Sequence, residues 1–309
     1  MRNIPLLILT CLFPAALFAQ KLETVYLDKK DSTSNMYIAV IPEAKPVKAL
    51  MILLDGFGTA PEDVRQQTEL PRYAAQQGIL TIIPLLKTGP LYFGTDAASQ
   101  QSLKEQIGEA VARYQVQGKD LFIGGFSIGG ACAVKYAELA VKENYPVKPK
   151  AVFAVDAPLD WERFYHSAKR VVRLSDPARV NPEVTYMIDR IEKEMKGTPQ
   201  TALENFYNNS PYSYSDSTQR AVKTLVNTPL MLITEPDIQW WLSQRGYDYS
   251  YINVTDHAAM INELQRLGNK NAVLVTTENK GFRKPDNKRH PHSWSIVDPE
   301  QLVKWLMSH

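Results

Sequence analysis

The 309-residue sequence has little cysteine, and this limits how the chain can be cross-linked. Its two cysteines are Cys11 and Cys132. Cys11 lies in an apolar N-terminal stretch that we expect to be removed, so an internal disulfide is excluded from the mature chain. Cys132 follows in a run of small and apolar residues, where a cysteine is usually a small buried side chain.

The sequence also lacks a strong charge of either sign. It has 35 Lys and Arg against 33 Asp and Glu, a formal net charge of +2, and no Lys/Arg-rich block. A nucleic-acid-binding or anionic-membrane-binding protein usually carries a basic patch. We therefore expect neither partner, while 44% hydrophobic and 22% charged residues are typical of a globular protein.

One apolar run stands out, and it lies at the N-terminus. Arg2 precedes a stretch over residues 4–18 that is apolar apart from Pro5, Thr10 and Pro14, and Ala19 ends a plausible cleavage site. The run is short for a membrane span. The pattern predicts a signal peptide over residues 1–19 and export to the periplasm or the medium, without a stable membrane anchor. Residues 20–309 then form one domain.

Alternation of apolar strands with helices predicts the fold class. Strands are predicted at 21–29, 35–41, 49–54, 79–86, 121–123, 151–155, 229–233 and 272–276. The first two flank a polar turn and are expected to form an antiparallel hairpin at a sheet edge. The others are separated by helical segments, which indicates an α/β fold with a mostly parallel, doubly wound sheet of about eight strands. No strand fits residues 160–226, so this region is predicted to be a helical lid insertion.

The pattern Gly125-Phe126-Ser127-Ile128-Gly129 joins a predicted strand to a predicted helix. Glycines allow a sharp, strained turn that presents a serine hydroxyl above the sheet, and this strand–turn–helix context favours a nucleophile. Ser127 is therefore the candidate nucleophile. The Ile128 N–H at the helix start is a candidate oxyanion donor.

A second oxyanion donor is expected from the loop Asp55-Gly56-Phe57-Gly58, which follows the 49–54 strand. The loop precedes the elbow in the chain, and its glycines allow the backbone to approach a reacting group. The Phe57 N–H is the candidate.

A serine nucleophile needs a base, and the chain has five histidines. His290 and His292 lie between the last strand and the last helix, a loop that passes the carboxyl edge of the sheet. We favour His292, which is nearer the closing helix, over His290. Neither is joined by a Cys or carboxylate cluster with metal-binding spacing, so no metal is predicted.

The imidazole in turn needs a carboxylate. Asp237 follows the 229–233 strand and fits the order serine, acid, histidine. Glu235 lies two residues away and stays an alternative, with Asp156 and Asp160 after an earlier strand as the third choice.

Taken together, these features resemble the α/β-hydrolase superfamily, in its esterase and prolyl-oligopeptidase-like branch, over nearly all of the mature chain. The resemblance is carried by the elbow, the 55–58 loop, the late His292 and Asn209-Ser210-Pro211 before the 229–233 strand. It implies acyl transfer by a Ser-Asp-His triad without cofactors. The chain has Asp55-Gly56 where the family often has His-Gly, and Glu235-Pro236-Asp237 where a Gly-x-x-Asp turn is common.

The predicted function is hydrolysis of a small-molecule carboxylic ester by an exported serine hydrolase. A peptidase of the prolyl-oligopeptidase-like type and a non-catalytic binding protein on the same fold are the alternatives. The sequence does not select the acyl group, the alcohol or the oligomeric state.

Overall fold

The computed structural model describes residues 20–28, 30–31, 33–43, 45–176 and 180–309. The predicted signal peptide at 1–19 lies outside these residues and stays a prediction.

A single large sheet organises the described chain. Its eight strands are β1 (Gln20–Tyr26), β2 (Met36–Pro42), β3 (Ala49–Leu54), β4 (Ile79–Leu85), β5 (Asp120–Phe126), β6 (Ala151–Val155), β7 (Leu230–Thr234) and β8 (Ala272–Thr276). They lie in the order β1-β2-β4-β3-β5-β6-β7-β8. The β1–β2 and β2–β4 pairs are antiparallel, and all other pairs are parallel. The predicted mostly parallel sheet of about eight strands, with its hairpin at one edge, is confirmed.

Eleven α-helices are found in the described residues, and most connect successive strands. They are α1 (Pro61–Gln67), α2 (Leu70–Gln76), α3 (Ala97–Arg113), α4 (Ile128–Lys142), α5 (Trp161–Leu174), α6 (Pro182–Met195), α7 (Pro199–Asn209), α8 (Arg220–Thr224), α9 (Ile238–Arg245), α10 (Val254–Arg266) and α11 (Pro299–Met307). Side-chain caps fix several starts. Asp96 accepts a hydrogen bond from Ser99 N at the start of α3, and Asp298 accepts one from Gln301 N at the start of α11.

Both faces of the sheet are covered, which explains its continuous apolar strands. Leu50, Ile52 and Leu54 of β3 belong to a core shared with α3 and α4. Met51 and Leu53 belong to a second core, shared with α2 and α11. Successive side chains of a strand point to opposite faces, so a strand between two helical layers must be apolar throughout.

Four helices, α5 to α8, lie between β6 and β7, where the sequence predicts a helical insertion without strands. The start of this insertion is anchored by Asp256 of α10, which accepts hydrogen bonds from Leu159 N at 3.0 Å and Asp160 N at 3.1 Å. Arg163 of α5 pairs with the same carboxylate at 2.5 Å. The start of the insertion, just after β6, is therefore attached to α10.

Two features were not predicted: α9, and a short antiparallel hairpin of β9 (Phe282–Arg283) and β10 (Lys288–Arg289). The hairpin lies in the predicted polar loop and leads towards His292. Within the described residues, no helix combines the length and the apolar character needed to cross a membrane.

Candidate active site

Ser127 lies at a strained corner between β5 and α4. Its φ of 54° and ψ of −126° are unusual for a residue with a side chain, and its backbone N–H donates to Val155 O of β6 at 2.9 Å. The flanking glycines are required by close packing. A Cβ on Gly125 would lie 2.5 Å from the Gly129 carbonyl carbon, and one on Gly129 would lie 2.4 Å from Asp55 O. The local fold is therefore that of a nucleophile elbow.

His292 is oriented by a carboxylate at the end of the neighbouring strand. Its Nδ1 donates to Asp156 Oδ2 at 2.6 Å. Asp156 follows β6 directly, is 5% exposed and accepts a second hydrogen bond from Thr234 Oγ1 at 2.6 Å. Because Nδ1 is engaged, Nε2 remains to exchange a proton with a substrate or nucleophile.

The protonation state of Asp156 suits this arrangement. Burial by itself would raise the pKa of the carboxyl, but the hydrogen bond and charge of His292, with a smaller contribution from the Thr234 hydrogen bond, outweigh it. The net result is a pKa below the usual value, so the group is a carboxylate at neutral pH.

One pocket of about 170 Å³ gathers these groups. Ser127, Ile128, Asp156, His292 and Phe57 all line it. The His292 ring also packs against the Phe126 ring, with centroids 4.3 Å apart, beside the nucleophile corner. The structure thus brings four of the predicted site residues, all except Asp237, to a common cavity.

Two backbone N–H groups are available at this pocket. Ile128 is the first residue of α4, where an N–H has no partner within the helix. In the loop after β3, the neighbours of Phe57 are engaged: Gly56 N donates to Asp55 Oδ1 at 2.8 Å, and Gly58 N donates to Pro90 O at 2.9 Å. These bonds fix the loop around the Phe57 N–H.

The Asp55 side chain connects this loop to the segment that carries His292. Trp294 Nε1 donates to its Oδ1 at 2.9 Å, and burial raises the pKa of the carboxyl. Trp294 lies two residues after His292, and its ring centroid is 5.6 Å from that of Phe126. Asp55, in the place where related loops often have histidine, therefore ties the loop after β3 to the histidine segment.

The prediction that Asp237 partners His292 is wrong. Asp237 caps α9, where its Oδ1 accepts from Trp240 N at 3.0 Å, and its Oδ2 pairs with Arg289 at 2.6 Å. Its carboxylate is thus committed to a helix start and to a permanent cation. Asp156, the third choice from the sequence, occupies the position beside the imidazole.

Glu235, the second choice, is also engaged elsewhere. It is 1% exposed and pairs with Arg289 at 2.6 Å. Its oxygens also accept from Thr277 Oγ1 at 2.9 Å, Lys280 N at 2.9 Å and Gly281 N at 3.2 Å. These bonds assign it a structural role in the loop after β8. Asp160, the remaining alternative, caps α5, and burial raises its pKa to about 6.

Comparisons with known proteins bear on the fold. No protein-family model and no curated protein matches the sequence. Carboxyl esterase 2 from Tuber melanosporum superposes with a TM-score of 0.56 at 13% identity, covering 95% of this chain and 85% of that one. S-formylglutathione hydrolase from Agrobacterium tumefaciens gives 0.55 at 12% identity, covering 94% and 96%. Acylaminoacyl peptidase from Pyrococcus horikoshii gives 0.55 at 15% identity, covering 93% of this chain but 40% of that one. The chain has the α/β-hydrolase fold.

Within this α/β-hydrolase fold, His290 and His257 lie in surroundings that differ from those of His292. The His290 ring packs against Trp240 and Trp241 of α9, with centroids at 4.7 and 5.6 Å. Burial, followed by the charge of Arg283, lowers its pKa to about 3. His257 is fully buried in α10, with its Nε2 3.1 Å from Ala157 N, and burial lowers its pKa as well. Both rings are neutral at neutral pH.

Among the residues that the structure describes, no three His, Cys, Asp or Glu side chains are grouped to hold a metal ion. Cys132 is a free, buried thiol on α4.

Proposed function

We propose that this chain is a serine hydrolase that cleaves carboxylic esters, with Ser127 as nucleophile, His292 as general base and Asp156 as the supporting acid. The single observation that carries the proposal is the 2.6 Å contact between His292 Nδ1 and Asp156, in the pocket that the Ser127 corner also lines. The structural neighbours that are esterases and a hydrolase are consistent with it.

The reaction follows from these positions. His292 Nε2 accepts the Ser127 proton, and Ser127 Oγ attacks the ester carbonyl carbon. The N–H groups of Phe57 and Ile128 stabilise the negative charge that develops on the carbonyl oxygen. The imidazolium, steadied by Asp156, then donates its proton to the departing alcohol, and water releases the acyl group by the reverse steps.

The α5–α8 insertion is proposed to act as a lid over this pocket. Phe164 of α5 and Met187 of α6 line the cavity together with the proposed nucleophile. Helices placed there exclude water from the reacting groups and limit the substrates that enter. Export after cleavage near Ala19 is proposed from the N-terminal sequence alone.

Active-site labelling tests the nucleophile. A fluorophosphonate probe is expected to label the purified chain stoichiometrically at Ser127, and Ser127→Ala should abolish labelling. The same substitution should lower turnover of an activated acetate ester by on the order of 10⁶. Cys132→Ser, a change at a buried thiol on the same helix, is the matched control for labelling.

The outcomes separate the alternatives. Labelling with hydrolysis of peptide but not ester substrates would favour the peptidase. A folded chain without labelling at neutral pH would point to the binding protein and contradict the proposal.

A further inference from the structure

Two arginines stand at the mouth of the pocket. Arg245 ends α9 and Arg283 lies in β9, and both line the cavity and are exposed. Within the described chain, neither forms an ion pair with a carboxylate. Arg163 and Arg289, in contrast, each lie within 2.6 Å of an acid. The mouth therefore holds two guanidinium groups without a bound counter-charge.

Arg283 is held beside the proposed general base. Its Nε and Nη2 donate to the backbone carbonyl of His292 at 3.2 and 3.0 Å. A guanidinium has five N–H donors in a planar fork, so this arrangement leaves donors for a ligand.

The charges at the mouth are only partly balanced. Desolvation by the surrounding protein is the main cause that lowers the pKa of Arg283; the charge of Glu183 opposes this effect, and that of Arg245 adds to it. Among the exposed charged residues that line the pocket, Arg245, Arg283 and Glu183, the net charge is +1. The Asp156 carboxylate also lines the pocket, but it is buried and bonded to His292. A bound monoanion would neutralise that charge and relieve the repulsion between the arginines.

An aromatic wall lies next to these arginines. The Trp241 and Tyr247 rings are stacked with centroids 5.8 Å apart, and the Tyr247 and Tyr251 centroids are 4.3 Å apart. All three residues line the pocket. Such rings offer a flat apolar surface to a planar substrate group.

We infer that the substrate is an ester whose alcohol part carries a carboxylate, which Arg245 and Arg283 bind while its apolar part packs on Trp241 and Tyr247. This inference rests on the proposed function and names its substrate class. The alcohol side is chosen because the histidine delivers its proton to the departing alcohol, so that group leaves on the side where Arg283 contacts His292.

A matched pair of esters tests the inference. 3-Acetoxybenzoate and 3-acetoxybenzamide have the same acetyl group and nearly the same shape, and differ in the charge of the alcohol part. We expect kcat/KM to be at least about tenfold higher for the benzoate, since charge-assisted bidentate contacts are strong. Arg245→Gln and Arg283→Gln should each lower the benzoate-to-benzamide ratio about tenfold, mainly through KM.

Two further substitutions check that the charge at the mouth causes the preference for the benzoate. Glu183→Gln removes the competing negative charge and should raise the ratio, because the mouth becomes more positive. Arg266→Gln, at an exposed arginine on α10 outside the pocket, should leave it unchanged. High salt should reduce the ratio, since the arginines are exposed.

Binding separates failure of this inference from failure of the proposed function. Titration calorimetry with Ser127→Ala protein should show binding of 3-hydroxybenzoate and little of 3-hydroxybenzamide. If neither ester is cleaved, this binding still supports the anion site while the esterase proposal fails. If both esters are cleaved at a ratio that the arginine substitutions do not change, the anion site is overturned and the esterase proposal stands. Equal binding of the two alcohols would also overturn the site.

Discussion

The carboxyl ends of β6 and β7 lie side by side, and each is followed by acidic residues with very different surroundings. At the end of β6, Asp156 contacts the His292 imidazole at 2.6 Å and forms no ion pair with Lys or Arg within the described chain. At the end of β7, Glu235 and Asp237 both contact Arg289 at 2.6 Å. The loop after β8 passes both strand ends. It places Arg289 beside the acids that follow β7 and His292 beside Asp156.

The difference lies in the type of cation that each acid meets. An arginine is always protonated, so its carboxylate partners stay neutralised and structural. An imidazole gains and loses its proton near neutral pH, so its carboxylate partner can stabilise a charge that appears only during a reaction. Position beside a strand end is thus insufficient to define a triad acid.

Of the tests that compare the two strand ends, the one with the largest expected effect measures turnover after substitution of Asp156 or Asp237. Asp156→Asn should lower kcat on an activated ester by on the order of 10⁴, because the amide cannot stabilise the imidazolium or hold the reactive tautomer. Asp237→Asn, the matched control at β7, should lower it by less than about threefold, since that side chain caps a helix. Steady-state kinetics on both folded variants measures the difference. Equal losses would contradict the assignment of Asp156.

A second comparison uses stability. Glu235→Gln removes the charge from a carboxylate that is 1% exposed and leaves part of the Arg289 charge unpaired. We expect the free energy of unfolding to fall by about 2 kcal/mol, because a buried pair with one partner removed is strongly destabilised. Asp237→Asn should cost less than about 1 kcal/mol, since its pair with Arg289 is more exposed. Urea denaturation at pH 7 measures both. A Glu235→Gln variant as stable as the parent but about 10⁴-fold slower would instead assign the catalytic acid to β7.

At pH 7 the smallest expected effect is that of His290, which packs on the β7 side of the loop. Its pKa is about 3 in the folded chain, against an ordinary value of 6.5. The unfolded chain therefore binds more protons between these values, and His290 destabilises the fold as pH falls below 6.5. The slope of the unfolding free energy against pH reflects how many more protons the unfolded chain binds than the folded one. His290→Gln should lower that difference by up to about one proton per molecule, so the variant should lose less stability in acid. Urea denaturation between pH 4 and 7 measures it, with His166→Gln at an exposed histidine as control. An unchanged slope would show that His290 is not held neutral by the fold.

Much of the fold could be predicted because its signals are local. Apolar runs marked the strands from β2 to β8, the polar turn before β2 marked β1 as its hairpin partner, and the flanking glycines marked the Ser127 corner. The helix α9 was missed because its sequence, Ile238–Arg245, has weak amphipathic periodicity and no buried residue. Its two tryptophans instead pack beside His290.

The acid could not be chosen from the sequence for a different reason. Asp156, Glu235 and Asp237 all follow apolar strands, and the sequence shows no difference between them. The deciding partners, Arg289 and His292, lie more than fifty residues later in the chain than Asp237 and approach only through the loop after β8. Which strand end the imidazole meets depends on how that loop crosses the sheet, and this is a tertiary property.

The backbone bond from Ser127 N to Val155 O has a further consequence. It joins the corner that bears the hydroxyl to the residue just before the acid, so both groups are set by the pairing of β5 with β6. The insertion helices that line the pocket, α5 and α6, begin only after that point in the chain. An exchange of those helices for others would therefore change the walls of the pocket and leave in place the backbone bond that holds Ser127 beside the end of β6.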